Sequence, residues 1–270
     1  FFYAAIIVYI YTIIKEKTKT MPKIFEVGGC VRDEFLKVHT NDIDFTFVLD
    51  DLNGTVKDGW DSMVSHLEAE GFKIFLKTED CFTVRAMFPK GHQHEGLVAD
   101  FVMARKEVGV IEGTRQPILE LGTLEDDLTR RDFTVNALAK SLDGEVIDLF
   151  NGLKDLKRGV LRTPLDPIQT LLDDPLRLIR ALRFSITKDF VIVDELWDAM
   201  FTPGLLDKLE SVVSIERIQA EVTKMMKHDT VKSLRLFNRI DQNEPRLLEI
   251  MFGGDVWLMP SAKKIKNKVK

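Results

Sequence analysis

The amino-acid sequence predicts an α+β fold in which a sheet-forming segment precedes a helical one. Short apolar runs and alternating patterns, both typical of strands, recur up to residue 103, whereas helical patterns dominate from residue 124 onward. Apolar side chains make up 45% of the 270 residues, which is enough to build a core and too many for a disordered chain. This length suits one larger domain and a smaller partner.

Five segments of the first part have the apolar patterns of strands, and they are residues 24–27, 43–49, 72–76, 82–88 and 97–103. A helix over residues 60–70 is expected to end at Gly71, because glycine favours helix C-termini. Residues 106–123 contain three glycines and one proline without a sustained period, so they are predicted to form a mobile loop. A hairpin is expected around Leu142–Glu145.

Breaks in these patterns predict the domain boundaries. Residues 1–20 are an apolar extension ending in lysines, which we interpret as upstream or non-native sequence, with a peripheral membrane anchor as the alternative. A sheet domain is expected over residues 21–163 and a shorter helical domain over residues 164–254. Residues 255–270 form a basic tail, which is predicted to be solvated because five lysines fall in its last eight residues.

Charge and cysteine content exclude several classes of protein. The 38 basic and 43 acidic side chains give a net charge of −5, so a uniformly basic nucleic-acid coat is excluded and any such binding needs a local patch. The two cysteines are too few for a disulfide framework and predict a reducing, cytoplasmic compartment. His92 and His94 lie in a polar loop and are interpreted as a solvated pair rather than a metal site.

Three aspartates lie at positions that suit a metal site. Asp42 and Asp44 are two residues apart on a predicted strand, so their side chains leave the same face, which is the open one because Phe45 and Phe47 occupy the core face. Asp100 interrupts an apolar strand and is expected to have a metal or a basic partner, since an unpaired buried carboxylate is costly. Carboxylates so arranged are ligands for hard divalent cations such as Mg²⁺ in phosphoryl transfer. Surface acids or turn caps are the alternative.

A glycine pair follows the first predicted strand and precedes a predicted helix. The bare backbone N–H groups of Gly28 and Gly29 can approach an anion closely, and Arg32 would add a guanidinium for phosphate oxygens. A simple strand-to-helix turn is the alternative. The order of these features, with Asp42 and Asp44 on the following strand, favours a nucleotide-binding role.

Three further motifs follow along the chain. They are Leu124–Ala139 with the sequence LEDDLTRRDFTVNALA, Asp173–Phe184 with DDPLRLIRALRF, and Ser214–Ile218 with SIERI. Together with the glycine and aspartate motif, they resemble the motifs of class II, bacterial-type tRNA nucleotidyltransferases, the CCA-adding enzymes, and of the related bacterial poly(A) polymerases. The resemblance covers about residues 21–240.

The resemblance implies a nucleotidyltransferase head with a five-stranded sheet, followed by a helical neck and a shortened body that hold RNA. It implies Mg²⁺ as the cofactor, held by the catalytic residues Asp42, Asp44 and Asp100. The nucleotide-binding residues that it implies are Gly28, Gly29, Arg32, Arg131, Asp132, Asn136, Asp174, Arg177, Arg180 and Arg183. For Asp132 and Asn136, a structural network of salt bridges and caps is the alternative. Residues 106–123 correspond to the flexible loop of the family.

The spacing of Asp174 and Arg177 suggests how a base is selected. The two residues are three apart on a predicted helix and therefore neighbours. An acceptor beside a donor matches the edge that cytosine and adenine share, an amine next to an unprotonated ring nitrogen, so CTP and ATP fit while UTP and GTP leave polar groups unpaired. A solvated helix face is the alternative. Arg183 points away from Asp174 and is expected to meet phosphate, RNA or a structural acid.

The sequence therefore predicts template-independent addition of C, C and A to the tRNA 3′ end from CTP and ATP. A poly(A) polymerase or an A-only adder with the same chemistry is one alternative. A catalytically silent RNA-binding module is another, because the part after the neck is short. The expected partners are the tRNA 3′ end and the two nucleotides, without stable membrane association, and the oligomeric state is left open.

Overall fold

A computed structural model describes residues 22–40, 43–49, 53–110 and 117–253 of the chain. The chain divides into two compact units. The sheet unit comprises Phe1–Arg130 with Asn136–Leu149, and the helical unit comprises Arg131–Val135 with Phe150–Lys270. The domain boundary predicted at residue 163 stays a prediction. The predictions for residues 1–20 and 255–270 concern positions outside the described part.

The sheet unit is built around one mixed sheet of seven strands. The strands of this unit are β1 (Lys23–Val27), β2 (Asp44–Val48), β3 (Lys73–Thr78), β4 (Thr83–Met87), β5 (Val98–Met103), β6 (Arg105–Val110), β7 (Pro117–Leu121), β8 (Leu138–Ser141) and β9 (Val146–Asp148). The sheet has the order β3-β4-β5-β2-β1-β8-β9, in which β2 and β5 are parallel and all other neighbours are antiparallel. The α+β fold class is therefore confirmed.

The number of strands differs from the five that the family resemblance implies. The two additional strands are β8 and β9, which form the hairpin predicted around Leu142–Glu145. This hairpin pairs with β1, where Val27 lies opposite Ala139, and so extends the sheet at one edge. The hairpin was predicted from its turn. Its pairing with β1 was not, because β1 is more than 100 residues away and no local sequence pattern indicates this pairing.

The described residues of the sheet unit contain three α-helices, and they are α1 (Gly29–Phe35), α2 (Val56–Ala69) and α3 (Leu124–Thr129). Helix α2 begins with a capping box between Thr55 and Asp58 and ends before Gly71, as predicted from the sequence. It packs on the sheet face that carries the main apolar core, which includes Phe45, Phe47, Trp60, Met63, Leu67, Phe88, Phe101 and Met103. This core fixes which face of each strand points inward and which remains for other contacts.

Strands β6 and β7 form a separate two-stranded antiparallel ribbon, so the mobile loop predicted over residues 106–123 is wrong for the described part of this segment. Residues 111–116, between the two strands, lie outside the described part. Most of the ribbon side chains whose placement is described are exposed. A ribbon with few buried side chains lacks the apolar alternation by which strands are recognised in a sequence.

His92 and His94 are half-buried rather than solvated, which corrects their interpretation. Both rings pack on Phe88, with ring centroids 4.6 Å and 5.2 Å from it. The Nε2 atom of His94 lies 3.3 Å from the Glu26 carboxylate, and burial lowers the pKa of His92. The two histidines thus cover one end of the aromatic core, an arrangement that the polar residues around them did not suggest.

The helical unit contains α4 (Gly152–Arg158), α5 (Pro167–Asp173), α6 (Leu176–Thr187), α7 (Asp194–Ala199), α8 (Leu205–Val212), α9 (Ile215–His228), α10 (Thr230–Asn243) and α11 (Pro245–Phe252). A short parallel pair, β10 (Val160–Leu161) and β11 (Val191–Ile192), completes it. Helix α6 packs against α9 through a buried apolar face that includes Leu178, Leu182, Ile218 and Val222. None of the helices in the described ranges is long and apolar enough to span a membrane.

Candidate active site

Two of the three predicted metal-binding aspartates occupy neighbouring positions in the sheet. Asp44 opens β2, Asp100 lies in β5, and the register of this parallel pair places the two residues opposite each other. Because Phe45 and Phe101 point into the core, Asp44 and Asp100 leave the opposite face of the sheet. Asp42 lies outside the described residues. The structure thus brings Asp44 and Asp100 together across two strands that are more than 50 residues apart in the chain.

Arg85 continues this row onto the next strand. It lies on β4 opposite Asp100, and its Nε atom is 3.1 Å from Asp100 Oδ1. The prediction that Asp100 has a basic or metal partner is therefore confirmed for the basic partner. Arg85 was not identified from the sequence as a site residue. Its position between the core residues Val84 and Ala86 already indicates a side chain on the face opposite the core.

The donor set of this row fits a hard divalent cation. Carboxylate oxygens are the preferred ligands of Mg²⁺, and two carboxylates on adjacent strands of the same face can share one ion. Within the described residues no group of three or more histidine, cysteine or acidic side chains is close enough to hold a metal. The third predicted ligand, Asp42, is one of the residues that the structure does not describe.

The sheet face behind Asp44 is not open, contrary to the sequence interpretation. Thr46 follows Asp44 on this face and is fully buried, and its hydroxyl donates to Asp127 Oδ2 at 2.9 Å. Asp127, on α3, is also fully buried and accepts a hydrogen bond from Arg130. Helix α3 therefore covers the sheet at Thr46, and only the end of the strand at Asp44, which is half-buried, reaches the surface.

The glycine turn begins helix α1, and its first residue requires glycine. Gly28 has φ of 79° and ψ of −127°, a conformation that a residue with a Cβ rarely adopts. The Gly28 N–H donates to the carbonyl of Leu138 at 3.0 Å, so this amide is not one of the bare N–H groups predicted for anion binding. An ideal Cβ on Gly29 would lie 3.5 Å from Arg32 Nη2, so the guanidinium of Arg32 lies next to the turn.

Arg32 and Asn136, both predicted to bind the nucleotide, are in direct contact. The Arg32 side chain is buried, its Nε donates to Asp33 Oδ1 at 2.9 Å, and its Nη1 donates to the side-chain oxygen of Asn136. These two acceptors hold the guanidinium in one orientation beside the glycine turn. The contact gives Asn136 the structural role that the sequence analysis kept as an alternative, while its role toward a nucleotide remains a prediction.

Cys30 directly follows the glycine pair and is a buried, free thiol. Burial raises the pKa of this thiol, and its Sγ donates to the carbonyl of Val27. A thiol that stays protonated is a poor nucleophile. Cys30 therefore acts as a packing residue of the turn.

In the helical unit, Asp132 and Arg180 form an ion pair. Arg180 Nε donates to Asp132 Oδ2 at 2.8 Å. Burial alone would lower the pKa of Arg180, but the charge and hydrogen bond of Asp132, together with the charges of Glu221 and Asp174, outweigh burial and raise it. The structural network that was the alternative for Asp132 is thus present.

Arg183 meets a structural acid, which was one of its expected partners. Its guanidinium pairs with Glu221 of α9 and stacks 4.0 Å above the Phe184 ring. Burial lowers the pKa of Arg183 despite this acid. Burial would raise the pKa of Glu221, but Arg183 and Lys224 outweigh burial and lower it. Glu221 was not identified from the sequence, because its partner lies on another helix.

Asp174 and Arg177 do not share a helix, which corrects the geometry predicted for base selection. Helix α5 ends at Asp173, and Asp174 has the extended conformation that a following proline favours. Asp174 Oδ1 accepts from the Leu176 N–H at 3.2 Å, so this carboxylate caps the start of α6. Arg177 is in the first turn of α6, and its Nη1 donates to the carbonyl of Thr170 at 3.1 Å.

The chain is similar to known proteins of one family. Residues 24–162 match the family described as the poly A polymerase head domain. The tRNA nucleotidyltransferase cca1 of Schizosaccharomyces pombe is 31% identical over 240 residues, which cover 84% of this chain and 46% of that protein. The CCA-adding enzyme of Limosilactobacillus fermentum is 34% identical over 210 residues, which cover 74% of this chain and 45% of that protein.

A solved structure is similar in fold. It is the structure of a tRNA nucleotidyltransferase complexed with a primer tRNA and an incoming ATP analog, with a TM-score of 0.63 and 27% sequence identity, and the match covers 90% of this chain and 62% of that chain. The chain spans about half the length of the curated relatives it matches. Because the family match includes more than half of the chain, with the glycine turn, Asp44 and Asp100 inside it, the chain belongs to the poly A polymerase head-domain family.

Proposed function

We propose that this chain is a nucleotidyltransferase that adds C, C and A to the 3′ end of tRNA, using CTP and ATP. The observation that carries the proposal is the register of β2 and β5, which sets Asp44 and Asp100 side by side on one face of the sheet in a chain of this family. The names of the two relatives described above, a tRNA nucleotidyltransferase and a CCA-adding enzyme, support the choice of product.

In this proposal Asp44 and Asp100, together with Asp42, hold Mg²⁺. These residues would hold the cation, which would supply Lewis-acid activation of the attacking hydroxyl and charge neutralisation for the leaving pyrophosphate. Asp44 and Asp100 would orient the cation, since strand pairing rather than a loop fixes their positions. The tRNA 3′-hydroxyl attacks the α-phosphate in line, the bond from this phosphorus to the bridging oxygen breaks, and pyrophosphate leaves.

The glycine turn and the arginines hold the triphosphate in this proposal. Arg32 is fixed beside Gly28 and Gly29 by its contacts with Asp33 and Asn136, so its charge stands next to the turn before a nucleotide arrives. A guanidinium that is already oriented loses little side-chain entropy when it binds phosphate oxygens. We also propose that the nucleotide is bound by Arg131, Arg180 and Arg183. Asp132 and Asn136 are proposed to shape the part of the site that holds the ribose.

Asp174 and Arg177 are proposed to read the base. Asp174 Oδ1 is engaged in capping α6, and Oδ2 is the oxygen proposed to accept from the amine of cytosine or adenine. Arg177 would donate to the adjacent ring nitrogen. Uracil and guanine carry a carbonyl and a ring N–H at these positions, so each would leave polar groups unpaired, at a cost of about 1–3 kcal/mol for each group.

A poly(A) polymerase is a second candidate function, favoured by the description of the matched family, and an A-only adder has the same chemistry. The two functions share the chemistry at Asp44 and differ in product length and in the use of CTP.

The cytoplasm is the proposed location, and this rests on the cysteine content, since Cys30 and Cys81 are both free thiols.

The experiment is the incorporation of labelled CTP and ATP into a tRNA that lacks its last three nucleotides, with the product resolved to single nucleotides. We expect a product that stops at three added nucleotides when both nucleotides are supplied. Asp44→Asn should lower the rate about a thousandfold, equivalent to about 4 kcal/mol of lost transition-state stabilisation. Asp61→Asn, at an exposed position of α2, is the matched control and should keep the wild-type rate.

Other products would contradict this assignment in distinguishable ways. Long adenosine tracts made without CTP would identify a poly(A) polymerase, and a single added adenosine would identify an A-only adder. A folded chain that binds tRNA without extending it would be a silent RNA-binding module. Extension by Asp44→Asn at the wild-type rate would exclude the proposed active site.

A further inference from the structure

Three side chains on three adjacent strands form a row across the exposed end of the sheet. Asp44 on β2 lies opposite Asp100 on β5, and Asp100 lies opposite Arg85 on β4. The row therefore places one cationic side chain in line with the two carboxylates. This alignment follows from strand register alone, because register decides which side chains of neighbouring strands face each other.

The ion pair within this row is partly exposed to solvent. Arg85 Nε is 3.1 Å from Asp100 Oδ1, with half of the Arg85 side chain and 28% of the Asp100 side chain accessible. An ion pair of this exposure contributes little to stability because water and salt screen it. Arg85 is thus close enough to neutralise the charge of Asp100. Its ion pair with Asp100 is also weak enough for a competing cation to displace the guanidinium.

A divalent cation at Asp44 and Asp100 competes with Arg85 for the same carboxylate. A guanidinium binds the oxygens of a carboxylate in the plane of that group, where a metal also binds. The charge of Arg85 also repels a cation held by Asp100. Both effects weaken metal binding as long as the ion pair is intact.

We propose that Arg85 is a resident counter-ion, a positioning residue that occupies Asp100 until a divalent cation enters and that weakens the binding of free cations. The inference rests on the proposed metal site. If Arg85 has this role, the protein without nucleotide binds the cation weakly. The additional negative charge of a nucleotide triphosphate is then needed to attract the cation and displace the guanidinium. Metal and nucleotide then bind cooperatively.

The test measures Mn²⁺ binding to the whole chain without nucleotide or tRNA, by the electron paramagnetic resonance signal of free Mn²⁺. Arg85→Met removes the charge and keeps much of the side-chain volume, and we expect it to tighten Mn²⁺ binding by about tenfold, the effect of about 1.4 kcal/mol of removed repulsion and competition. Arg85→Lys keeps the charge and should bind Mn²⁺ close to the wild-type affinity. Arg246→Met is the matched control, since Arg246 is a similarly exposed arginine that pairs with Asp207 and Glu210 in the helical unit.

The double variant Arg85→Met with Asp100→Asn shows whether the expected increase in Mn²⁺ affinity depends on Asp100. We expect this variant to bind Mn²⁺ no more tightly than Asp100→Asn alone. Adding a non-hydrolysable CTP analogue should reduce the difference between wild type and Arg85→Met, because the nucleotide displaces the guanidinium in the wild type. A purely structural role of Arg85 would predict weaker binding in Arg85→Met, the opposite sign.

Failure of the inference and failure of the proposed function are distinguishable. If Asp44→Asn and Asp100→Asn leave Mn²⁺ binding unchanged, the metal site itself is excluded. If both weaken binding but Arg85→Met binds Mn²⁺ as the wild type does or more weakly, the metal site stands and the counter-ion role of Arg85 is overturned.

Discussion

The guanidinium of Arg32 shows how one buried side chain links the stability of the sheet unit to its proposed chemistry. It lies under the protein surface with Asp33 as its counter-ion and Asn136 as a second acceptor. Burying a charge is costly unless partners compensate for the lost hydration, so these contacts maintain the arginine in place. The same contacts keep the charge next to the glycine turn.

Arg32→Ala should therefore destabilise the protein as well as impair catalysis. Removing one partner of a buried ion pair leaves the other charge uncompensated, and we expect the free energy of unfolding to fall by about 3 kcal/mol. Urea denaturation followed by circular dichroism measures this change. Arg246→Ala, which removes an exposed arginine, should change it by less than about 1 kcal/mol. Equal effects of the two substitutions would show that the Arg32 network does not stabilise the fold.

Single residues also show which parts of the candidate site the sequence could predict. Asp44 was identified by its spacing from Asp42 on an alternating strand and Asp100 because it interrupts an apolar strand, and both signals are local in the chain. Arg85 and Glu221 were not identified, since their importance comes from Asp100 and Arg183, which lie on other strands or helices. A sequence pattern indicates which face a side chain takes, whereas strand register and helix packing decide what it meets.

At the scale of elements, helix α2 packs closely on strands β5 and β7 because of Gly59. An ideal Cβ at this position would lie 2.3 Å from Leu121 Cδ2 and 2.8 Å from Met103 Sδ, distances at which atoms overlap. Leu121 and Met103 belong to β7 and β5, so the glycine sets how near the helix approaches two strands. The helix accepts glycine in its interior in spite of the poor helix propensity of this residue.

Gly59→Ala is expected to destabilise the protein by about 1–3 kcal/mol, because the added methyl group forces the packed side chains to shift. Alanine favours a helix by about 1 kcal/mol over glycine, which opposes the cost of the overlap. The sign of the measured change in stability therefore shows whether packing or helix propensity has the larger effect. Ser65→Ala, on the exposed face of the same helix, should change stability by less than about 0.5 kcal/mol. Thermal and urea unfolding of both variants would measure the difference, and a stabilising effect of Gly59→Ala would contradict the close approach.

Several elements that the sequence predicted correctly have a buried face. Strands β2, β4 and β5 and helix α2 each contribute to one apolar core, and burial produces the alternation or the helical period that identified them. The β6–β7 ribbon has few buried side chains and was interpreted as a loop. Asp174 was placed on a helix because its spacing fits one, although Pro175 favours an extended conformation at the residue before it.

At the scale of the whole molecule, each unit carries charged pairs that are buried to different degrees. In the helical unit, the pair between Arg183 and Glu221 links α6 to α9, and both side chains are largely buried. Lys224 gives Glu221 a second basic partner, and the charges of Arg180 and Asp132 act on Arg183 as well. A largely buried pair of this kind makes the stability of the unit depend on pH.

The direction of this dependence follows from Glu221. Burial would raise its pKa, yet Arg183 and Lys224 lower it below the usual value for a glutamate, so the folded state holds the carboxylate in its charged form more strongly than the unfolded state does. The stabilisation is therefore complete above the pKa of the unfolded chain, about 4.3, and is lost as the pH falls through the lower pKa of the folded state.

Glu221→Gln should remove this contribution. We expect the variant to be less stable than the wild type by about 3 kcal/mol at pH 7, since Arg183 loses its buried counter-ion, and the difference should shrink as the pH is lowered below about 4. Urea unfolding at a series of pH values measures both effects. Asp189→Asn is the control, because Asp189 also pairs with a lysine, Lys232, but is exposed, so its pH profile should follow that of the wild type. A difference between Glu221→Gln and the wild type that stays constant down to the lowest pH would show that Glu221 does not stabilise the helical unit through its charge.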